Sequence, residues 1–300
     1  IIIDFQRMNQ VKEVQLQDLY MVVEPGIVYD EINRILKPNR YFFPPAPASG
    51  EVATIGGMVG CNASGMKAVK YGATRDYVMG MKAVFADGEE RFLGTRTLKD
   101  ACGYQLGRLL IGSEGTLAIV TEVTLRIVPL PAARAACRAA FPTLDTAGKC
   151  VSDIIGAPLI PSACEIMDNI CIKAVTKAYN LGFPDVEAIL LIEVDGHPAQ
   201  IKEDIARVTE ICKKAGATEV VFTDDPAKSD ELFSRGRAQM IPALARYQEG
   251  FVTVMLADDM SVPMSKLPQA MRAFHDIAER NGILVPTYGH AGDGNLHTKV

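Results

Sequence analysis

The chain has 300 residues, of which 48% are hydrophobic and 22% charged, and its net charge is −5. This composition excludes an intrinsically disordered chain, and the length suits two domains with separate cores. The mild negative charge argues against a nucleic-acid partner, whose phosphates require clustered Lys and Arg. No apolar run approaches the roughly 18 residues that a membrane-spanning helix needs.

The seven cysteines are scattered along the chain and include no C-x-x-C pair. A disulfide framework or a cysteine metal cluster needs closer and more regular spacing. We therefore predict reduced, mostly buried thiols in a cytoplasmic protein. Residue 1 is not Met, and the chain opens on three isoleucines and stops directly after a His-rich motif. We expect a piece of a longer protein that lacks N- and C-terminal parts.

The first part of the chain alternates short β-rich runs with Gly, Pro, Asn and Ser, a pattern typical of strands joined by structured loops. Strands are predicted at residues 20–24, 81–86 and 117–128. Asp87-Gly88 predicts a two-residue hairpin turn after the second of these strands. Two prolines stop a strand at residues 128–131, and we place the domain boundary there.

From residue 132 onward, strand-like runs alternate with amphipathic helices. Apolar residues recur at helical spacing between 201 and 212, and Gly216 predicts the end of that helix. A second helix is predicted from a Ser265 cap to residues 281–282. Strand-like runs lie at residues 188–194, 219–222 and 251–256. The alternation indicates an α+β fold in which helices cover a sheet on at least one face.

Three clusters rich in small residues occupy residues 44–49, 54–65 and 112–120. Glycines let backbone N–H groups approach a bulky anionic ligand, and Ser, Thr and Asn side chains add hydrogen bonds. Neither G-x-G-x-x-G nor a Walker loop occurs, so a Rossmann dinucleotide site and a P-loop are unsupported. Each cluster alone indicates a tight turn, but three in one domain favour a large cofactor.

These clusters, with YGATRDYV at residues 71–78 between the second and third, resemble the FAD-binding domain of the vanillyl-alcohol oxidase/p-cresol methylhydroxylase superfamily. The branch they resemble most contains glycolate oxidase large subunits and FAD-linked D-lactate and D-2-hydroxyglutarate dehydrogenases. Similar stretches lie at residues 23–26, 103–104, 112–122, 161–168 and 289–297. The resemblance implies an FAD-binding domain over residues 1–131, without its N-terminal pyrophosphate loop. It also implies an α+β cap, or substrate, domain with an antiparallel sheet over residues 132–300.

The resemblance also implies which residues hold the flavin. The first cluster would line it, the second would hold its ring and ribityl chain, and the third would hold the nucleotide side. The expected cofactor-binding residues are Pro45, Pro47, Ala48, Ser49, Gly56, Gly57, Asn62, Ala63, Ser64, Gly65, Gly112, Glu114, Gly115 and Ile119.

The last motif, GHAGDGNLH, places His290 and His297 seven positions apart around a Gly-Asp-Gly turn. If the turn folds back, both imidazoles converge and offer two nitrogens suited to a divalent ion. From spacing alone, a hairpin whose histidines make ordinary hydrogen bonds is the alternative. The resemblance implies a metal-binding segment for Zn, Mn or Fe, with a Glu ligand and a catalytic His beyond Val300. We expect His275 and His197 to be structural.

Arg237 is the expected substrate-binding residue. A Gly-Arg pair followed five positions later by Pro-Ala reproduces a family spacing, which implies an arginine that grips the substrate carboxylate. A guanidinium suits that role because its planar fork matches a carboxylate bidentately. A surface salt bridge, or Arg235 in its place, is the alternative. The chain departs from the family pattern at Ser234 and Lys299, so the identity of the substrate stays open.

The resemblance implies an FAD-dependent dehydrogenase that oxidises a D-2-hydroxy acid, such as D-lactate, glycolate or D-2-hydroxyglutarate, to the 2-keto acid. A metal at His290 and His297 would lower the pKa of the substrate hydroxyl, and Arg237 would orient the carboxylate, with a general base expected outside this chain. Electrons would pass to an electron-transfer flavoprotein, quinone, cytochrome or iron–sulfur subunit. A homo- or hetero-oligomer and peripheral attachment to the inner face of a membrane are compatible with this interpretation. The alternatives are a non-catalytic flavin-binding electron-transfer or assembly subunit, and a metal-dependent hydrolase that uses the two histidines with Asp293.

Overall fold

The computed structural model describes residues 3–247, 254 and 259–299, except for the side chains of Ser234 and Arg235. The chain divides into two compact units, residues 1–130 and 131–300, called here the first and second units. The strand predicted at residues 251–256 lies outside the described residues, apart from position 254.

An antiparallel sheet forms the frame of the first unit. The described strands of this unit are β1 Val11–Gln15, β2 Tyr20–Val23, β3 Tyr41–Phe42, β4 Val78–Val84, β5 Glu90–Gly94, β6 Ile119–Arg126 and β7 Val128–Pro129. Its described helices are α1 Tyr29–Leu36, α2 Ile55–Cys61, α3 Ala68–Tyr71 and α4 Gly107–Leu110. The main sheet has the order β1-β2-β6-β4-β5, while β3 and β7 form a separate pair. The strands predicted in this part of the chain overlap β2, β4 and β6.

The core of the first unit lies on one face of this sheet. β6 pairs with β2 and β4, so that Met21 lies opposite Leu125 and Met81 opposite Val123. Because directly opposed residues share a face, these four side chains form one buried apolar surface. The same cluster includes Ile32 of α1 and the buried residues of α2. Packing against the sheet therefore fixes the position of α2, which carries the second glycine cluster.

The turn between β4 and β5 is longer than the predicted two-residue turn. The Phe85 N–H donates to the Glu89 carbonyl at 3.1 Å, so three residues, 86–88, connect the strands. Gly88 has a φ of 83°, in the region that favours glycine, and its N–H donates to the Phe85 carbonyl at 2.9 Å. Asp87-Gly88 thus lies in the turn, but the predicted length was wrong.

A second antiparallel sheet forms the frame of the second unit. Its described strands are β8 Ala133–Phe141, β9 Ala163–Asp168, β10 Ala188–Gly196, β11 Glu219–Thr223, β12 Met260–Ser261, β13 Thr287–His290 and β14 Asn295–Thr298. Its described helices are α5 Leu144–Gly156, α6 Asn169–Tyr179, α7 Pro198–Lys214, α8 Pro226–Phe233, α9 Met240–Leu244 and α10 Leu267–Asn281. The strand order is β11-β8-β10-β9-β13-β14-β12. The α+β class and the antiparallel cap sheet predicted from the sequence are confirmed.

The two faces of the cap sheet differ in character. Ala139, Leu190 and Ile166 lie opposite one another on β8, β10 and β9, and they belong to the core that includes α5, α7 and α10. Side chains alternate along a strand, so the neighbouring residues lie on the other face. That face, called here the charged face, carries Arg138 of β8 and Glu165 of β9.

The ends of the long helices agree in part with the sequence. Gly216 follows α7 with a φ of 97°, and Gly282 caps α10 with a φ of 63°, both as predicted. The predicted Ser265 cap is wrong, because Ser265 lies in a 3₁₀ turn and the residue before α10 is Lys266, whose side chain makes no capping bond. Pro268 in the first turn favours the helix start instead, since its missing N–H would have no helical acceptor there.

The structure also describes the cysteines and helices on which two expectations from the sequence depend. All seven cysteines are free, and five of them are buried. No helix among residues 3–247 and 259–299 combines the length and the apolar character that crossing a bilayer requires.

Candidate active site

The three small-residue clusters of the first unit meet around α2. The Glu114 N–H donates to the Gly60 carbonyl at 3.0 Å, which attaches the third cluster to the end of this helix. Gly65 packs tightly on the first cluster, because a Cβ at this position would lie 1.8 Å from the Ala46 carbonyl oxygen. Glycine at 65 is therefore what allows the first and second clusters to touch.

A cavity of about 520 Å³ opens between the second and third clusters. The expected cofactor-binding residues that line it are Gly56, Gly57, Glu114, Gly115 and Ile119. Gly57 and Gly115 are exposed, and a Cβ at Gly115 would meet no atom within 4 Å, so the backbone is accessible along this wall. Leu110, Ala118 and Val120 add apolar surface. Accessible peptide groups beside apolar side chains fit a ligand that has both a flat ring system and a polar chain.

The other expected flavin residues do not line this cavity. They are Pro45, Pro47, Ala48, Ser49, Asn62, Ala63, Ser64, Gly65 and Gly112. Asn62 ends α2 with a φ of 50°, and its Oδ1 accepts the Arg75 N–H at 3.0 Å. The Thr74 hydroxyl donates to the Ala63 carbonyl at 2.6 Å. These bonds hold the loop after α2 in place, and its contact with a flavin stays a prediction.

In the second unit, the structure brings Arg237, His290 and His297 together on the charged face. His290 of β13 lies opposite Glu165 of β9, and His297 of β14 lies opposite Tyr288. These pairings put both histidines on the same face as Glu165. Arg237 belongs to the π-helical turn Ser234–Ala238, which follows α8. The irregular turn supplies a side chain to the sheet, as such turns do at many functional sites.

Glu165 joins Arg237 to His290. Its side chain is fully buried, its Oε2 accepts from Arg237 Nε at 2.5 Å, and its Oε1 lies 2.7 Å from His290 Nδ1. Burial alone would raise the pKa of this carboxyl, but its neighbours His290 and Arg237 outweigh burial and hold the pKa below its ordinary value. Burial opposes ionisation of His290 as well, yet Glu165 raises the pKa of that imidazole.

The two histidines face each other through their Nε2 atoms, which are 3.4 Å apart. Each Nδ1 instead faces a carboxylate, Glu165 for His290 and Asp259, at 3.1 Å, for His297. A carboxylate only accepts, so these partners assign a proton to each Nδ1 and leave a lone pair on each Nε2 of the neutral rings. Two lone pairs at this distance repel, and the pair therefore favours a proton or a metal cation between them.

The separation of the Nε2 atoms fits a divalent ion. Two metal–nitrogen bonds of roughly 2.0–2.1 Å at a tetrahedral angle place their nitrogens about 3.4 Å apart. Carboxylates on the far ring nitrogens are the usual outer partners of metal-binding histidines. Within the described residues, no group of three or more His, Cys, Asp and Glu side chains is arranged to hold an ion. The pair thus supplies two ligands, and the metal stays a proposal.

Arg237 is more enclosed than a surface arginine. It is 5% exposed, and its Cζ lies 4.6 Å from the centre of the Tyr288 ring. Its Nε donates to Glu165, and no described residue accepts a hydrogen bond from its two terminal nitrogens. That free edge of the fork has the geometry that a carboxylate needs. Lys299, at which the chain departs from the family pattern, is also buried.

The two remaining histidines have structural contacts. His197 precedes α7, and its Nδ1 accepts the Ala199 N–H at 3.3 Å. His275 of α10 bonds through Nε2 to Asp168, at 3.1 Å. Both contacts agree with the expectation that neither residue belongs to the site.

Sequence reasoning missed Glu165, Tyr288 and Asp259. Glu165 lies in ACEIMD, the run of β9, in which all six residues are buried. A carboxylate within an apolar run must find a charged or hydrogen-bonding partner when it is buried, and this signal was available in the sequence. Tyr288 and Asp259 carry no such signal.

Two family models match the chain. The model of FAD linked oxidases, C-terminal domain, matches residues 130–300. The chain belongs to the FAD-linked oxidase family. The model of the FAD binding domain matches residues 1–94 of this family member, which contain the first two small-residue clusters. The family resemblance and the FAD-binding domain expected from the sequence are confirmed.

Curated relatives of this FAD-linked oxidase are similar over nearly the whole chain. The glycolate oxidase subunit GlcD of Bacillus subtilis is 36% identical, over 99% of this chain and 62% of its own length. The mitochondrial D-lactate dehydrogenase [cytochrome] of Arabidopsis thaliana is 32% identical, over 100% of this chain and 52% of its own. The D-lactate dehydrogenase of Archaeoglobus fulgidus is 31% identical, over 99% of this chain and 64% of its own length. The chain thus spans less than two-thirds of the length of these relatives.

Solved structures show the same fold at low sequence identity. Alkyldihydroxyacetonephosphate synthase has a TM-score of 0.76 and 19% identity, over 98% of this chain and 60% of its own. p-Cresol methylhydroxylase with substrate bound has a TM-score of 0.73 and 16% identity, over 98% of this chain and 64% of its own. The FAD-linked oxidase therefore has the p-cresol methylhydroxylase type of fold that the sequence predicted.

Proposed function

We propose that this FAD-linked oxidase oxidises a D-2-hydroxy acid of the lactate, glycolate or 2-hydroxyglutarate class to the 2-keto acid. The observation that carries this proposal is the cluster of Arg237, Glu165, His290 and His297. A 2-hydroxy acid presents a carboxylate and a hydroxyl on adjacent carbons, and the cluster offers a guanidinium edge beside a pair of imidazole nitrogens. Relatives named glycolate oxidase and D-lactate dehydrogenase support the same substrate class.

In this proposal, residues 1–131 bind FAD and residues 132–300 bind the substrate. FAD, when bound, would supply the hydride acceptor, and electrons would then pass to an electron-transfer flavoprotein, quinone, cytochrome or iron–sulfur subunit. The residues proposed to hold FAD are the expected residues that line the cavity, Gly56, Gly57, Glu114, Gly115 and Ile119, together with Pro45, Pro47, Ala48, Ser49, Asn62, Ala63, Ser64, Gly65 and Gly112. The free state of all seven cysteines supports a cytoplasmic location.

Arg237 would bind the substrate carboxylate through its terminal nitrogens. Glu165 on Nε and the Tyr288 ring beside the guanidinium restrict its movement, so the fork is held in place before the substrate arrives. A fixed carboxylate leaves the substrate little freedom to rotate, which determines the direction in which its Cα–H points.

His290 and His297 would hold a divalent ion, Zn, Mn or Fe, through Nε2. Such an ion, when bound, lowers the pKa of a hydroxyl that it contacts. The residues contribute by directing both Nε2 atoms toward each other, because the carboxylates of Glu165 and Asp259 occupy the opposite ring nitrogens.

Anaerobic visible spectroscopy of the full-length, FAD-loaded protein tests the proposal. We expect the flavin band to bleach when D-lactate, glycolate or D-2-hydroxyglutarate is added, and L-lactate serves as the stereochemical control. A band that persists with all three acids, with Zn²⁺, Mn²⁺ or Fe²⁺ added in turn, would contradict the proposed activity. That result would favour the non-catalytic flavin-binding subunit.

A further inference from the structure

We propose that Glu165 is a positioning residue that locks the Arg237 guanidinium and the His290 imidazole into one rigid unit. The inference rests on the proposed function, in which one of these groups binds the substrate carboxylate and the other a metal ion. Glu165 itself would touch neither. Its role is to keep the carboxylate-binding group and the metal-binding group at a constant separation, as adjacent carboxylate and hydroxyl groups of a substrate require.

The two oxygens of Glu165 are divided between the two partners. Oε2 accepts a hydrogen bond from Arg237 Nε at 2.5 Å, and Oε1 accepts one from His290 Nδ1 at 2.7 Å. Both partners are donors, so the residue that joins them must accept on both oxygens. A glutamine offers one acceptor, and an aspartate is one methylene shorter. The two contacts together therefore require glutamate at this position.

The surroundings of Glu165 prevent it from moving to another partner. It lies between Leu191 of β10 and His290 of β13 in a continuous antiparallel register, and its side chain is fully buried. A buried carboxylate that left these two donors would lose both hydrogen bonds without reaching water. Glu165 of the central strand β9 thus helps to set the position of Arg237, which lies on an irregular turn, and the ring orientation of His290 on β13.

The same contact determines which nitrogen His290 presents. With Nδ1 bonded to Glu165, the ring cannot turn over without losing that bond, and its Nε2 stays 3.4 Å from the Nε2 of His297. Removal of an outer carboxylate from a metal-binding histidine costs about 10–100-fold in metal affinity. We therefore expect Glu165 to influence metal binding and substrate binding together.

Glu193 provides a matched control for the loss of a buried carboxylate. It lies on the charged face in the neighbouring strand β10, it is 4% exposed, and its partners include Ser162 at 2.8 Å and Arg134 at 3.8 Å. Glu193→Gln therefore removes a similarly buried charge from the same sheet. It serves to separate general destabilisation of the sheet from loss of positioning.

The test is a Co²⁺ titration of metal-depleted, FAD-loaded full-length protein, combined with steady-state kinetics on D-lactate. Glu165→Gln should weaken Co²⁺ binding about 10–100-fold and raise KM for D-lactate, while Glu193→Gln keeps wild-type values of both. The proposal is overturned if Glu165→Gln keeps the wild-type Co²⁺ affinity, the wild-type KM for D-lactate, or both. It is also overturned if Glu193→Gln weakens Co²⁺ binding and raises KM as much as Glu165→Gln does.

A measurement on the wild-type protein covers the case in which Glu165→Gln does not fold. Nitrogen-15 NMR of the metal-free protein should show His290 protonated at Nδ1, and addition of Zn²⁺ should shift Nε2 while Nδ1 keeps its proton. An unprotonated Nδ1, or metal binding through Nδ1, would overturn the proposal. If no 2-hydroxy acid reduces the flavin, the proposed function fails, but the titration and the NMR still decide the role of Glu165.

Discussion

Asp168, the last residue of β9, joins three elements of the second unit, and its replacement gives a measurable test of how that unit is held together. Its Oδ1 accepts the Cys171 N–H at 2.9 Å and so caps α6. Its Oδ2 accepts the buried Thr287 N–H of β13 at 2.7 Å and bonds to His275 of α10 at 3.1 Å. We predict that Asp168→Ala destabilises the protein strongly, although it removes no apolar contact.

The size of the effect follows from these contacts. Loss of an N-cap costs about 1 kcal/mol, and a buried N–H left without an acceptor costs about 1–3 kcal/mol, which together give about 3 kcal/mol for Asp168→Ala. Asp168→Asn keeps one carbonyl oxygen, so it can satisfy one of the two backbone N–H groups and should lose about half as much.

Urea unfolding followed by far-UV circular dichroism measures this difference, since the chain contains no Trp for fluorescence. Thr143→Ala is the matched control, because the exposed Thr143 side chain caps α5 by accepting the Thr146 N–H at 3.2 Å, beside a hydroxyl contact with Thr146 at 3.0 Å. It should cost about 1 kcal/mol. The reasoning is refuted if Asp168→Ala lowers the free energy of unfolding no more than Thr143→Ala does.

Three further predictions concern pH, the glycine contact and the guanidinium. The hydrogen bond to Asp168 raises the pKa of His275. The protonated imidazole should therefore stabilise the fold fully below about pH 6.5, and this stabilisation should disappear as the pH rises through the higher folded-state pKa. The difference in unfolding free energy between wild type and His275→Gln, measured across this range, should shrink accordingly. Gly65→Ala should lower the ratio of flavin to protein absorbance, because its Cβ would clash with backbone, whereas Gly156→Ala, where a Cβ meets nothing within 4 Å, should leave the ratio unchanged. Arg237→Ala should lower kcat/KM for D-lactate by at least roughly 10–100-fold, which is the loss expected from even one of the two charged hydrogen bonds that the fork would make, with unchanged flavin content. Unchanged kinetics would remove Arg237 from the proposed substrate site.

The parts of the fold that depend on neighbouring residues could be predicted from the sequence. Glycines marked the ends of α7 and α10, since a left-handed residue after a helix is a local requirement. Errors arose where two local signals competed. Ser265 has the side chain of a cap, but Pro268 fixes where α10 begins. Asp87-Gly88 marks a turn, but the residue pairs on either side determine its length.

The contacts within the candidate site also differ in how far apart their residues lie in the sequence, and only the local ones could be predicted. His290 and His297 lie on adjacent strands of one hairpin, so a motif of nine residues is enough to identify them as neighbours. Glu165 is separated from Arg237 by 72 residues and from His290 by 125, and those contacts depend on the register of β9 against β13.

Hydrophobic alternation could not supply that register, because β9 is buried on both faces and its pattern does not distinguish them. One fact about Glu165 was nevertheless available without the structure. A buried ionised carboxylate whose neighbours along the strand are apolar is stable only beside cations or several donors, so its presence predicts partners even where it cannot name them. Arg237 and His290 are the partners that the fold provides. A polar residue that breaks an apolar strand is therefore a better guide to the centre of this site than the exposed charges around it.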